Sequence, residues 1–139
     1  MKNPSDICPA KITAIDHLGI RVTDRLVAVA FYESLGFRQT DYFPEHQANE
    51  METPFGVRVN LIFNGAKRPQ ARNVLLDEPI KLPGITHPAF VVDDLDVLVT
   101  WLKRNGIAIT EGPSPIGPRR KALFIRDPDG NVLEFDQIL

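Results

Sequence analysis

The chain has 139 residues, 43% of them hydrophobic and 24% charged, with a formal net charge of −2. That length suits one domain with a sizeable core, or two small halves that share one. The charge balance removes any electrostatic case for nucleic acid or an anionic membrane surface as partner, and no apolar run approaches the roughly 20 residues of a membrane span.

The opening stretch MKNPSDICPAK lacks the apolar region of a secretory signal, and Cys8 is the only cysteine. An internal disulfide is therefore ruled out, and a reducing cytoplasm is the expected location. Nothing near Cys8 would activate a thiolate. Residues 12–22 alternate as a strand. The polar break TDR follows, in which Thr23 or Asp24 can cap a helix. Leu26, Val29, Ala30 and Tyr32 are spaced as a helical face, and Gly36 in LGF ends that helix and starts a new strand. DYFPEHQANEMET (41–53) holds a further strand interrupted by Pro44, with His46 expected in a surface loop. GVRVNLIFNG (56–65) is the clearest strand of this half. Residues 66–83, rich in proline, lysine and arginine, read as a connection with a short strand at NVLL (73–76).

The next segment repeats the first. An apolar run (85–92) leads to DDLD, where Asp93 or Asp94 caps a helix with Leu95, Leu98, Val99 and Leu102 on one face. Asn105 and Gly106 stop it. KALFIR (121–126) and NVLEFDQIL (131–139) then flank DPDG, whose proline, aspartate and glycine supply turn chemistry. Residues 84–107 lie over 14–37 without a gap: Ile85, His87, Val92, Asp94 and Gly106 meet Ile15, His17, Val22, Asp24 and Gly36. The inferred unit is βαβββ, occurring twice: module one 12–65, connection 66–83, module two 84–139. The class is α+β. A repeated unit that cannot close its own core packs against its copy, and the junction makes a natural cleft.

Strand parity says what could face that cleft. His17, Gly19 and Arg21 point one way, His87, Ala89 and Val91 point the equivalent way, and Glu134 shares a face with Val132 and Asp136. A carboxylate inside an apolar strand is costly to bury unless it is paired or coordinates a metal. A lone strand histidine is more often structural than a ligand. Two at repeat-equivalent positions reverse that expectation, because a pseudo-twofold axis brings such positions together. Two imidazoles and a carboxylate form a divalent-metal set. Arg58 shares a face with Asn60, and both are expected to point inward. The loops 41–56 and 112–120 are expected to set the substrate, with Arg119, Arg120 and Lys121 on a solvated loop able to close over a carboxylate.

DHLGIRV…AVAFYESLGF, THPAFVVDDLD…LKRNGI and ALFIRDPDGNVLEF, in this order, resemble the glyoxalase I, bleomycin-resistance and extradiol-dioxygenase group, the vicinal oxygen chelate superfamily. The resemblance spans residues 12–138. It implies paired βαβββ modules forming a curved open barrel around one divalent ion (Ni, Co, Zn, Mn or Fe), usually in a homodimer. It makes His17, His87 and Glu134 the metal ligands, with Glu134 also the catalytic carboxylate. Asn60 takes the place of a fourth-ligand glutamate of glyoxalase I. A neutral amide oxygen is the weaker donor, and the site loses one negative charge. Arg21 and Asn64 match positions that hold the glutathione part of a glyoxalase substrate. The resemblance thus implies a metal-dependent lyase or isomerase acting on a small vicinal-oxygen substrate, possible linkage to glutathione included. A non-haem Fe(II) dioxygenase and a metal-free binder of the bleomycin-resistance type are the alternatives. Metal content separates the binder from the enzymes, and oxygen consumption separates the dioxygenase from the lyase.

Overall fold

A computed structural model describes residues 6–139 and shows two four-stranded mixed sheets that repeat one topology. The first sheet has the order β1 (Leu18–Arg21), β4 (Arg58–Ile62), β3 (Ala48–Glu52), β2 (Arg38–Phe43). The second has β5 (Ala89–Val91), β8 (Val132–Ile138), β7 (Arg120–Arg126), β6 (Glu111–Pro115). In each sheet the first strand runs parallel to the last and the other pairs are antiparallel. Helices α1 (Arg25–Ser34) and α2 (Leu95–Arg104) cross over from first to second strand, which completes the two βαβββ modules.

Local chemistry starts and stops both helices at equivalent residues. Asp24 and Asp94 are the N-caps, each accepting from the backbone N–H three residues on, at 3.1 Å. Gly36 and Gly106 then carry the chain away at positive φ, where a side chain would be strained. The second helix buries the stripe expected for it, Leu95, Leu98, Val99 and Leu102. The first does not. Leu26 is 79% exposed, and the inward stripe is Ala28, Phe31, Tyr32 and Leu35. Once Asp24 caps the helix, that i, i+3, i+4, i+7 row faces the sheets and Leu26 lies on the opposite side.

One continuous core joins the modules: Tyr32, Leu61, Leu102, Leu123, Ile125 and Leu133 are fully buried within it. The turn after β7 adds polar ties. Asp127 accepts a hydrogen bond from the Tyr32 hydroxyl at 2.8 Å, and Asp129 accepts from the Thr23 hydroxyl and backbone. Asn131 donates to the Arg21 carbonyl at 3.0 Å. Burial pushes the Tyr32 hydroxyl well above its ordinary value, the Asp127 carboxylate adding to the shift. Removing the hydroxyl as Tyr32→Phe leaves Asp127 buried with one donor fewer. Urea unfolding should show a loss of about 1.5–3 kcal/mol, as for a hydrogen bond to a charged group.

Several segments differ from expectation. The first strands of both modules are shorter than 12–22 and 85–92: β1 covers only Leu18–Arg21 and β5 only Ala89–Val91. Pro88, just before β5, has no N–H to give to a ladder. No strand forms at NVLL. The Asn73 side-chain oxygen instead accepts from the N–H groups of Leu75 and Leu76, and the Asp77 N–H bonds to the Asn73 carbonyl, which coils the segment into turns. Of the 112–120 loop, residues up to Pro115 belong to β6, while Arg120 and Lys121 open β7. Only 116–119 are left as the turn between them. His46 is exposed, in a short 3₁₀ turn begun by Pro44.

The connection is tied down by charge. Arg126 donates to both Asp77 oxygens, at 2.6 and 2.7 Å. This pairing, with a backbone hydrogen bond from Asn73, holds the Asp77 carboxyl well below its ordinary value near 3.8. A carboxyl depressed in the folded state stabilises the fold above its unfolded value and loses that contribution as pH falls through its folded one. Wild type should therefore lose more stability between about pH 5 and pH 2 than Asp77→Asn does, read from urea midpoints. Parallel curves would exclude this pair as an acid-sensitive tie.

Candidate metal centre

The burial alternation of β4 and β3 puts Val59, Leu61, Asn49 and Met51 in the core. Arg58, Asn60, Glu50 and Glu52 therefore lie on the other face of sheet one, with Arg21 of β1 and His17, just before β1, on the same side by parity. In sheet two, Leu123, Ile125, Leu133 and Phe135 fill the core side, while Phe124, Glu134 and Asp136 turn to the other face. Each module thus offers one polar face carrying one histidine.

In module two, His87 Nε2 lies 3.0 Å from Glu134 Oε1, with the imidazole edge-on to Phe124. Glu134 is only 6% exposed. Burial pushes its carboxyl up, the neighbouring Asp136 carboxyl adds to the rise, and His87 opposes it. Asp136 Oδ1 is buried with no hydrogen-bond partner, and Arg120 approaches the other oxygen at 3.8 Å. In module one, His17 Nδ1 contacts Asp16 at 2.8 Å. Asn60 Oδ1 is buried and has no donor. An acceptor left bare at this depth costs free energy unless something outside the chain completes it.

His17 and His87 line one cavity of about 410 Å³, together with Arg21 and Asn131. They are not clustered, however: among the described residues no three His, Cys, Asp or Glu side chains lie close enough to hold a metal. The single chain brings His87 and Glu134 together and leaves His17 apart. Two imidazoles, one carboxylate and an orphaned amide oxygen are donors that suit a divalent transition ion, but one chain presents them as two half-sets.

The other candidates are divided in the same way. Arg21 donates from Nε to Asn64 Oδ1 at 2.9 Å, so these two residues form a pair. Arg21 also lines a second cavity of about 620 Å³, alongside Lys67, Arg68 and Arg72. Arg58 is engaged elsewhere, with Glu52, Glu50 and Asp16 oxygens at 3.4, 3.5 and 3.8 Å. Three carboxylates around one guanidinium leave that corner anionic. Asp16 and Thr86, which contact the two histidines, were not singled out from the sequence. Their equivalent places one residue before His17 and His87 were the available signal.

A family model described as the glyoxalase/bleomycin resistance protein/dioxygenase superfamily matches residues 14–135. The chain belongs to this superfamily. The chain is similar to the virulence protein STM3117 of Salmonella typhimurium, 29% identical over 134 residues, covering 91% of this chain and 85% of that protein. The crystal structure of STM3117 superposes with a TM-score of 0.66 over 94% of this chain and 100% of that one, at 25% identity. A glyoxalase/dioxygenase from Nostoc punctiforme shares the fold with a TM-score of 0.76 at 21% identity, over 99% of both chains. An antibiotic binding protein, TnmS3 of a Streptomyces species, shares it with a TM-score of 0.69 at 23% identity, over 94% of this chain and 99% of that one. The superfamily fold is therefore present over nearly the whole chain. No described helix is long and apolar enough to cross a membrane.

Proposed function

We propose that this superfamily member is a homodimeric, metal-dependent lyase or isomerase acting on a small substrate with two adjacent oxygens. In this reading His17 of one protomer meets His87 and Glu134 of its partner, with Asn60 as a neutral fourth donor. The observation that carries it is the part-buried His87–Glu134 pair, whose imidazole lines one cavity with His17, yet which gathers no third ligand among the described residues. A partner is also supported by exposed apolar side chains, Phe55 at 94% and Ile85 at 81% among them, and by the free outer edges of β1 and β5.

When bound, a divalent ion supplies Lewis-acid polarisation of the adjacent oxygens. The chain supplies the proton handling. Glu134, buried and with its carboxyl raised, is suited to take a proton from one substrate carbon and return it to the next. Arg21, its guanidinium oriented by Asn64, is placed to hold an anionic end such as a glutathione carboxylate. Arg21→Ala should then raise KM about tenfold or more, with kcat much less affected, since it removes binding shared by ground and transition states.

Metal analysis of protein purified without chelator tests the reading, followed by assay with methylglyoxal–glutathione hemithioacetal and with catechols. One divalent ion per site with hemithioacetal turnover is expected. Oxygen uptake on catechols would transfer the chain to the dioxygenase branch. A second reading, a metal-free binder, is favoured by an apolar cavity of about 520 Å³ lined by Phe37, Phe55, Val57, Phe90, Val91 and Phe135. Absence of metal together with tight binding of an aromatic ligand there would establish it in place of the first.

A further inference from the structure

Each histidine of the metal set is held at the same ring nitrogen by the side chain immediately before it. Asp16 Oδ2 lies 2.8 Å from His17 Nδ1, and Thr86 Oγ1 lies 2.9 Å from His87 Nδ1. The contact recurs at equivalent places in the repeat although the residue types differ. Building on the metal reading above, we infer that Asp16 and Thr86 are positioning residues that set which nitrogen each imidazole offers to the metal. Asp16 does so permanently and Thr86 reversibly.

The difference follows from their donor and acceptor inventories. An ionised carboxylate only accepts, so a neutral His17 must carry its proton on Nδ1, leaving Nε2 with a free lone pair. Arg58, 3.8 Å from the other Asp16 oxygen, helps to keep the carboxylate in place. A hydroxyl both donates and accepts. His87 Nε2 faces the Glu134 carboxylate at 3.0 Å, so without metal the proton sits on Nε2 and Nδ1 accepts from Thr86. Metal binding at Nε2 needs that proton gone. With a metal on Nε2, that nitrogen would have given one proton to solvent, Nδ1 would have taken one up, and the Thr86 hydroxyl would accept from it. His17 is thus a ready ligand, whereas His87 is latched by Glu134 until metal arrives.

Long-range proton–nitrogen NMR on the histidine-labelled full chain reads the tautomers directly. It is run at about pH 8, above the ordinary imidazole value of about 6.5, with and without Zn²⁺. His17 should be protonated on Nδ1 in both states. His87 should be protonated on Nε2 without zinc and on Nδ1 with it. Asp16→Ala and Thr86→Val should each weaken zinc binding about 10–100-fold, and Thr86→Ser should restore it. Should Asp16→Ala fail to fold, the tautomers of the unmutated chain and the Thr86 pair still decide the matter. Nε2 protonation of His17, an unchanged His87 tautomer, or wild-type zinc affinity in both loss variants would overturn the assignment while leaving the metal site standing. A wild-type chain that takes up no zinc would remove the metal reading, and this assignment with it.

Discussion

Mixing inactive His17→Ala chains with inactive Glu134→Ala chains is expected to restore activity. Within one chain His87 and Glu134 are 3.0 Å apart and no described cluster of three ligands forms; in the proposed dimer the partner's copy of that pair meets His17. If sites are shared, a heterodimer places both damaged residues in one site and leaves the other intact, recovering about half the wild-type activity per heterodimer. Each variant alone should lose stoichiometric metal, because two protein ligands rarely hold a divalent ion tightly. Metal content of the mixture gives a second readout. It should rise to about one ion per heterodimer, where the parents hold none. Two inactive parents that stay inactive and metal-free after subunit exchange would place every site within a single chain.

Gly130→Ala should be among the most damaging single substitutions outside the metal set. Gly130 is buried and has φ +84°, a conformation in which a side chain costs about 1–2 kcal/mol. Space is lacking as well. An added Cβ would overlap the Ala71 carbonyl oxygen, which is backbone and cannot swing aside. The connection would have to move, taking with it the hydrogen bond that Asn73 donates to the Gly130 carbonyl. Together these amount to about 3–4 kcal/mol, at the upper end for a point substitution. Equilibrium urea unfolding measures the loss. Gly106→Ala is the comparison: its φ is +68° but nothing lies within 4 Å of the added atom, so it should cost only the backbone share. Equal losses at the two positions would show that contact with Ala71 is immaterial.

The local rules were legible residue by residue. The gapless repeat of 14–37 in 84–107 predicted two equivalent modules, and the sheets share one strand order. Asp24 and Asp94 cap, and Gly36 and Gly106 terminate, because those tasks depend on backbone hydrogen bonds and φ within a few residues. Strand parity also read correctly that Arg58 and Asn60 share one face of β4, and that Glu134 and Asp136 share one face of β8, opposite Phe135. The contact of His87 with Glu134 rests on the β5–β8 pairing, where Ala89 sits opposite Glu134.

Tertiary structure alone decided the rest, for three physical reasons. A helix presents more than one apolar row, and only the sheets could choose Ala28 over Leu26 in α1. A charged side chain takes the partners that the fold brings within reach. Arg58 ended among Glu50, Glu52 and Asp16, whereas Arg21 met Asn64, although both arginines looked alike as inward cations on strands. Ligands from separate modules, finally, assemble only where packing sends them. The sequence by itself determined that each repeat carries one histidine at an equivalent place. Packing determined that His87 and Glu134 meet, because β5 pairs with β8, while no third His, Cys, Asp or Glu among the described residues joins them.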